Sequence, residues 1–138
     1  GIHLARVDPR RDLERVARFA FDAGEAEQLE ALSGAARNER FYALWTLKEA
    51  AIKALGLTLL QGLRRCVFLE QSGGWSVHLP IATRTLSMQV FRPGPNLYLG
   101  ALVIGEPAVR WRELEWPTAA AAAWERIDLI VRRVEVST

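Results

Sequence analysis

The chain has 138 residues and a mass of 15.5 kDa, which is the size of one domain and leaves no room for a second independent core. Half of the residues are apolar and a quarter are charged, as in average globular domains, which excludes disordered, collagen-like and highly charged tail proteins. No apolar run approaches the roughly 20 residues that a membrane span needs. The one cysteine, Cys66, excludes a disulfide framework and a multi-cysteine zinc site, and it predicts a reducing compartment, the cytoplasm.

The basic residues are unevenly divided between arginine and lysine. Of the 18, only Lys48 and Lys53 are lysines, and 16 acidic residues leave a net charge of +2. Arginine stays charged whereas lysine can lose a proton, so a lysine retained in an arginine-rich chain marks a position that arginine cannot fill. The arginines alternate with acids, as in Arg10-Arg11-Asp12, and form no basic stripe. Despite a pI near 9.1, we therefore predict no nucleic-acid partner.

The first part of the chain has the pattern of one strand followed by helices. Alternating apolar residues predict the strand, and Asp12 and Asp22 are typical helix caps. The third helix is the strongest and ends at Gly56, a residue favoured just beyond a helix. The predicted elements are a strand at 2–7 and helices at 12–19, 22–32 and 35–55.

The remainder has the pattern of short strands with tight connections, which predicts a single antiparallel meander. The order of strand, helices and meander indicates an α+β fold rather than an alternating α/β fold. Residues after 105 give weaker patterns, in which β-branched residues favour a last edge strand. The predicted elements are strands at 66–69, 75–79, 86–91 and 97–104, then a strand at 109–114, a short helix at 117–124 and an edge strand at 127–136.

The long helix carries the residues that suggest chemistry. Glu49 and Lys53 are four positions apart, so they share a face and can pair. Trp45 lies one turn before Glu49 and Tyr42 one turn before Trp45, so a carboxylate and an amine adjoin an aromatic stripe. By spacing alone, this pattern favours an aromatic core face beside a solvated Glu–Lys pair, which contributes a few tenths of a kcal/mol, over a reactive site.

The segment Trp45-Thr46-Leu47-Lys48-Glu49-Ala50-Ala51-Ile52-Lys53 resembles a known signature, Trp-(Ser/Thr)-x-Lys-Glu-(Ser/Ala)-x-x-Lys. It belongs to the 4'-phosphopantetheinyl transferase superfamily, specifically the Sfp-type members. Every fixed position matches, and the preceding Phe41-Tyr42 and the following Gly56 also fit. The resemblance is to the C-terminal half of these enzymes. It implies a transferase-like half domain at 1–104, followed at 105–138 by an extension that we expect to pack on the same domain.

A second family signature, Gly-x-Asp-x-Glu, lies on the strand before the helices, and its acids hold Mg²⁺ together with the helix glutamate. Here the segment is Gly1-Ile2-His3-Leu4-Ala5, so His3 and Ala5 replace the two acids. Mg²⁺ prefers oxygen ligands, whereas imidazole suits Zn²⁺, Ni²⁺ or Mn²⁺ better. The resemblance implies a site for Mg²⁺, or alternatively Mn²⁺, on Glu49, with His3 as a replacement ligand, a base or a neutral bystander. Thr58 stands where members often have glycine.

The resemblance implies transfer of the 4'-phosphopantetheine group from coenzyme A to a serine of an acyl or peptidyl carrier protein, as in polyketide, nonribosomal peptide and fatty acid synthesis. Glu49 would be the metal ligand and a catalytic base or water-positioning group. Lys53 would contact the pyrophosphate and stabilise the leaving group, and Lys48 would be a further coenzyme A contact. The arginine-rich surface would suit the acidic surface of a carrier protein.

Two questions stay open from the sequence. Sfp-type enzymes consist of two similar halves with the site between them, so this chain would be a fragment, would need a partner that supplies the first half, or would assemble with copies of itself. The missing strand acids also favour an alternative function, a catalytically degenerate half that binds a carrier protein or has a structural role.

Overall fold

The computed structural model describes residues 1–72, 74–81, 86–105, 125–127 and 134–137. The described part is α+β, which confirms the predicted class and the order of strand, helices and strands. No helix in these ranges combines the length and the apolar character needed to cross a bilayer. The elements are β1 Ile2–Arg6, α1 Leu13–Ala20, α2 Ala23–Glu30, α3 Gly34–Ala54, α4 Leu59–Gly62, β2 Val67–Gln71, β3 Gly74–His78, β4 Leu86–Gly94, β5 Leu97–Ile104, β6 Glu125–Ile127 and β7 Val134–Ser137.

The described strands form two sheets, with the orders β1-β5-β4-β6 and β2-β3-β7. The expectation of one meander of four strands is therefore wrong. β5 pairs on one side with β4 and on the other side with β1, the first strand of the described chain. In the pairing with β1, Leu4 lies opposite Leu99. β2 and β3 instead form a hairpin in the second sheet. Local periodicity indicates a strand but carries no information about a partner so distant in sequence.

The last described residues extend both sheets. β6 runs antiparallel to β4, and β7 runs parallel to β3. A single edge strand at 127–136 is therefore wrong, because its two ends lie at the edges of different sheets. The strand predicted at 109–114 and the helix predicted at 117–124 lie outside the described residues.

The short helices begin at side-chain caps. Asp12 accepts a hydrogen bond from the backbone at the start of α1, and Asp22 forms a capping box with Glu25 at the start of α2, as their positions predicted. Thr58 caps α4 in the same way with Gln61, so this departure from the family pattern has a local structural role. Such caps each contribute about 1 kcal/mol.

The long helix α3 lies across β1 and β5 and is buried along most of its length. Two glycines, one directly before β1 and one on β5, allow a close approach. A Cβ atom added to Gly1 would overlap the Ala50 carbonyl, and one added to Gly100 would overlap the Thr46 backbone. The backbone of α3 therefore rests directly on the backbone of the sheet, which fixes the height of Glu49 above β1.

Candidate active site

The fold brings together three of the predicted site residues, one from β1 and two from α3. His3 Nδ1 lies 3.9 Å from Glu49 Oε2. Lys53 Nζ lies 3.2 Å from His3 Nδ1 and donates a hydrogen bond of 3.2 Å to the carbonyl of Ile2. In the described part of the chain no ion pair joins Glu49 to Lys53. The lysine contacts the strand instead of its helical neighbour.

The imidazole of His3 is poised as a hydrogen-bond acceptor. Its side chain is 21% exposed and that of Glu49 is 15% exposed. Burial lowers the pKa of His3, with a smaller opposing contribution from Glu49 and a further lowering by Lys53, so the ring is neutral at pH 7. Since a lysine ammonium can only donate, we assign the acceptor role to Nδ1 and the ring proton to Nε2.

His3 and Glu49 line a groove of about 730 Å³ formed by β1, the turn after it and one face of α3. Lys53 stands beside this groove, in contact with His3. Three exposed arginines stand along it, Arg6, Arg10 and Arg11. Among the described residues that line the groove, the acids are Asp8 and Glu49. Arg10 lies 3.6 Å from Asp8, which still leaves an excess of positive charge, and such a wall attracts anions.

Sequence reasoning did not single out these groove arginines. The available signal was their position in the turn directly after the strand that carries His3. Residues that directly follow a strand lie close to the side chains of that strand. Arg11 also lies over the ring of Trp45, with its guanidinium carbon 5.9 Å from the ring centroid. This cation–π contact joins the turn to α3 at the edge of the groove.

Ala5 also faces the groove, because alternate residues of a strand point to the same side. It lines the groove and is 6% exposed, so a methyl group stands where the family pattern has a carboxylate. The residues that could hold a metal are Glu49 and His3, and the described residues contain no cluster of three or more His, Cys, Asp or Glu. One carboxylate and one imidazole do not fit Mg²⁺, which is held by oxygen ligands.

Lys48 lies apart from this group. It is completely buried, and its ammonium donates to Glu25 Oε2 at 2.6 Å and to the Cys66 carbonyl at 2.5 Å. It also lies 5.4 Å from the centroid of the Phe21 ring. The structure therefore encloses Lys48 between α2, α3 and the start of β2, and does not bring it to Glu49 and Lys53 at the groove.

Glu25 is the partner that sequence reasoning missed. Both of its oxygens are used, since Oε1 accepts from the Phe68 amide at 2.8 Å and Oε2 also accepts from the Asp22 amide at 2.9 Å. Burial lowers the pKa of Lys48 and raises the pKa of Glu25, while their mutual attraction opposes both shifts. The signal was present in the Asp22-x-x-Glu25 capping box, but the box does not reveal that its glutamate is buried.

The aromatic stripe of α3 divides between core and groove. Tyr42 is buried, its hydroxyl accepts from the Asp8 amide at 3.0 Å, and its ring stacks on Tyr98 with centroids 5.5 Å apart. Trp45 is half-buried, lies parallel to Phe41 at 6.2 Å and lines the groove. Tyr42 is therefore part of the core, as expected if the aromatic stripe is a core face, whereas Trp45 forms the boundary of the candidate site.

Comparisons with known proteins indicate the family of this chain. The sequence profile of the 4'-phosphopantetheinyl transferase superfamily matches residues 1–92, which include β1, α3 and the whole of the described groove. A protein of Synechocystis sp., provisionally named a 4'-phosphopantetheinyl transferase, is 37% identical over 67 residues. That alignment covers 49% of this chain and 27% of the relative, so the chain corresponds to only part of the longer protein.

Proposed function

The chain belongs to the 4'-phosphopantetheinyl transferase superfamily, and we propose that it contributes the helix side of a site that transfers 4'-phosphopantetheine from coenzyme A to a carrier-protein serine. The observation that carries this proposal is the meeting of Glu49 and Lys53 with β1 at the edge of an arginine-lined groove. A carboxylate and several cations at one site are what phosphoryl-type transfer requires.

Each group has a role in the proposed reaction. The serine oxygen bonds to the phosphorus of the phosphopantetheine arm, the pyrophosphate P–O bond breaks, and 3',5'-ADP leaves. Glu49 accepts the serine proton, directly or through a water molecule that it positions. Lys53 and the groove arginines stabilise the negative charge that develops on the leaving group. The coenzyme A contact predicted for Lys48 has no part here, because its ammonium is enclosed by Glu25 and Cys66.

The metal belongs to a separate prediction. The superfamily pattern implies Mg²⁺ or Mn²⁺ held by Glu49, with His3 as a second ligand, and such an ion would supply positive charge at the pyrophosphate. One carboxylate and one imidazole among the described residues do not fit Mg²⁺. We therefore derive the proposed chemistry from the side chains of this chain alone.

A complete site needs more than this chain's face of the groove. We propose that a first half domain or a second copy of the chain closes it, since the alignment spans only 27% of the relative. The groove arginines would steer an acidic carrier protein towards it. We propose the cytoplasm as the compartment, because the cysteine, Cys66, is a free buried thiol.

The second candidate function is a catalytically degenerate half that docks a carrier protein or supports an active partner. Specific observations favour it: Ala5 puts a methyl group into the groove, and His3 stands in place of the other strand acid. The two candidates make opposite predictions for the same assay.

The deciding experiment incubates the chain with coenzyme A and an apo carrier protein in EDTA, in Mg²⁺ and in Mn²⁺, each with and without a separately produced first half. We expect the phosphopantetheine mass on the carrier serine in at least one of these mixtures. No mass gain in any of them, together with retained carrier binding, would establish the degenerate half instead.

Glu49→Gln tests the assigned base. We expect transfer to fall by about 100-fold or more, the usual loss when a general base is removed, with an unchanged melting temperature because Glu49 lies at the groove. Glu39→Gln, on the same helix and outside the groove, is the matched control and should keep full activity. A lower melting temperature with little change in rate would make Glu49 a structural residue.

A further inference from the structure

The contact between Lys53 and His3 has a consequence for what the groove can bind. The ammonium of Lys53 has three hydrogens and no lone pair. Its nitrogen lies 3.2 Å from both the Ile2 carbonyl oxygen and His3 Nδ1, so these two acceptors can take two of the three hydrogens. Nδ1 must therefore be an unprotonated acceptor, and the proton of the neutral ring lies on Nε2.

This arrangement leaves the imidazole without a lone pair to offer a metal. Nδ1 is engaged by Lys53, and Nε2 carries the proton. A metal on Nδ1 would displace the ammonium, and a metal on Nε2 would force the proton onto Nδ1, where it would point at the lysine hydrogens. Since Ala5 offers only a methyl group, Glu49 remains as the one ready ligand among the described residues at this position, which is too few for a hard dication.

The positive charge of the site is instead built into the chain. Lys53 Nζ lies 3.2 Å from the ring of His3, which replaces a strand acid of the family pattern, and Arg6, Arg10 and Arg11 line the adjoining groove. Ammonium and guanidinium groups form charge-assisted hydrogen bonds to phosphate oxygens without a bridging metal.

We propose that Lys53, anchored by the Ile2 carbonyl and by His3 as its positioning residue, is the resident cation at the edge of this groove, which binds a pyrophosphate-containing ligand without a divalent metal. The identity of that ligand as coenzyme A rests on the proposed function. The metal independence rests on the contacts of His3, Ala5 and Lys53 in this chain.

Equilibrium dialysis of coenzyme A against the chain, in EDTA and in Mg²⁺, tests this inference. We expect dissociation constants that agree within about twofold in the two buffers, and a loss of about tenfold in both for Lys53→Met. His3→Asn, which keeps an acceptor near the position of Nδ1, should retain binding, whereas His3→Leu should approach Lys53→Met.

The possible failures are distinguishable. Binding that appears only with Mg²⁺ would overturn metal independence and leave the proposed function intact. The absence of coenzyme A binding in both buffers, with the separately produced first half also present, would overturn the proposed function of the chain along with this inference. Equal affinities for His3→Asn and His3→Leu would remove His3 as the positioning residue.

Mn²⁺ binding, followed by the paramagnetic resonance of the free ion, gives a readout that needs no substrate. We expect the unmodified chain to leave Mn²⁺ free and the double variant His3→Asp/Ala5→Glu, which restores three carboxylates with Glu49, to bind it. Mn²⁺ bound by the unmodified chain and released by Glu49→Gln would overturn the inference, as would a double variant that gains no Mn²⁺.

Discussion

Lys48 and Lys53 are five residues apart on one helix and occupy opposite kinds of environment. Five residues turn an α-helix by about 140° beyond a full circle, so the two side chains leave α3 on different faces. Lys48 is enclosed by Glu25, Cys66 and Phe21, whereas Lys53 is exposed at the edge of the groove. One motif thus supplies a cation for the interior and a cation for the site.

The difference shows that a lysine in a motif need not contact the ligand. The interior cation joins three elements, because its partners come from α2 and from the segment leading into β2. A buried ion pair adds little net stability over apolar residues of the same shape, but removal of one of its two partners leaves an unpaired buried charge. The groove cation has water available, so its removal leaves nothing buried and unpaired.

The largest expected effect comes from breaking the interior pair. Lys48→Met should lower the free energy of unfolding by about 3–5 kcal/mol, because it strands the Glu25 carboxylate without a counter-charge. The matched variant Lys53→Met should change it by no more than about 0.5 kcal/mol. Urea unfolding of both variants measures the two values on one scale.

A double variant sharpens this comparison. Glu25→Leu combined with Lys48→Met should recover a large part of the stability lost by Lys48→Met, because no unpaired charge remains. Equal losses for Lys48→Met and Lys53→Met would contradict the division of the helix into an interior and a site face.

Sequence patterns predicted α3 to within one residue at each end, and the meeting of Glu49 with the first strand followed from the family resemblance. They did not reveal that Lys48 is buried, because the polar residues of α3 are not confined to one face and the helix gives no clear amphipathic direction. Its partner Glu25 lies 23 positions earlier, beyond the reach of helical periodicity. The pairing of Lys53 with His3 depends on how α3 crosses β1, which no local pattern specifies.

An intermediate effect follows from pH, again on the interior side. Burial raises the pKa of the Cys66 thiol from 9.0 to about 11, although the Lys48 ammonium lowers it in part. The thiol therefore favours the folded state fully below pH 9, and this contribution is lost as the pH rises towards 11. The loss amounts to about 1.4 kcal/mol at pH 10.

Comparison of the unmodified chain with Cys66→Ala isolates this contribution, because other groups titrate in both. Between pH 8 and pH 10, the unfolding free energy of the unmodified chain should fall relative to that of Cys66→Ala. A difference that is independent of pH would mean that the thiol is accessible to water in the folded chain.

The smallest expected effect lies at the groove. Arg11→Gln removes the guanidinium over Trp45 and should lower the free energy of unfolding by about 0.5 kcal/mol, the usual size of an exposed cation–π contact. Arg10→Gln, whose side chain is 92% exposed in its pair with Asp8, should have no measurable effect. A loss of more than 2 kcal/mol in Arg11→Gln would mean that the groove face also stabilises the fold. It would then contradict the contrast between the interior face and the groove face of α3.

The contact of α3 with Gly1 and Gly100 separates the shape of the groove from its chemistry. No side chain acts as a spacer at these two points, so the distance between helix and sheet does not depend on the volume of the residues that line the groove. Acids of the strand can therefore be exchanged for His3 and Ala5 while the frame keeps its dimensions. A scaffold of this kind tolerates changes of ligand preference, and its weak points are the glycines rather than the reactive side chains.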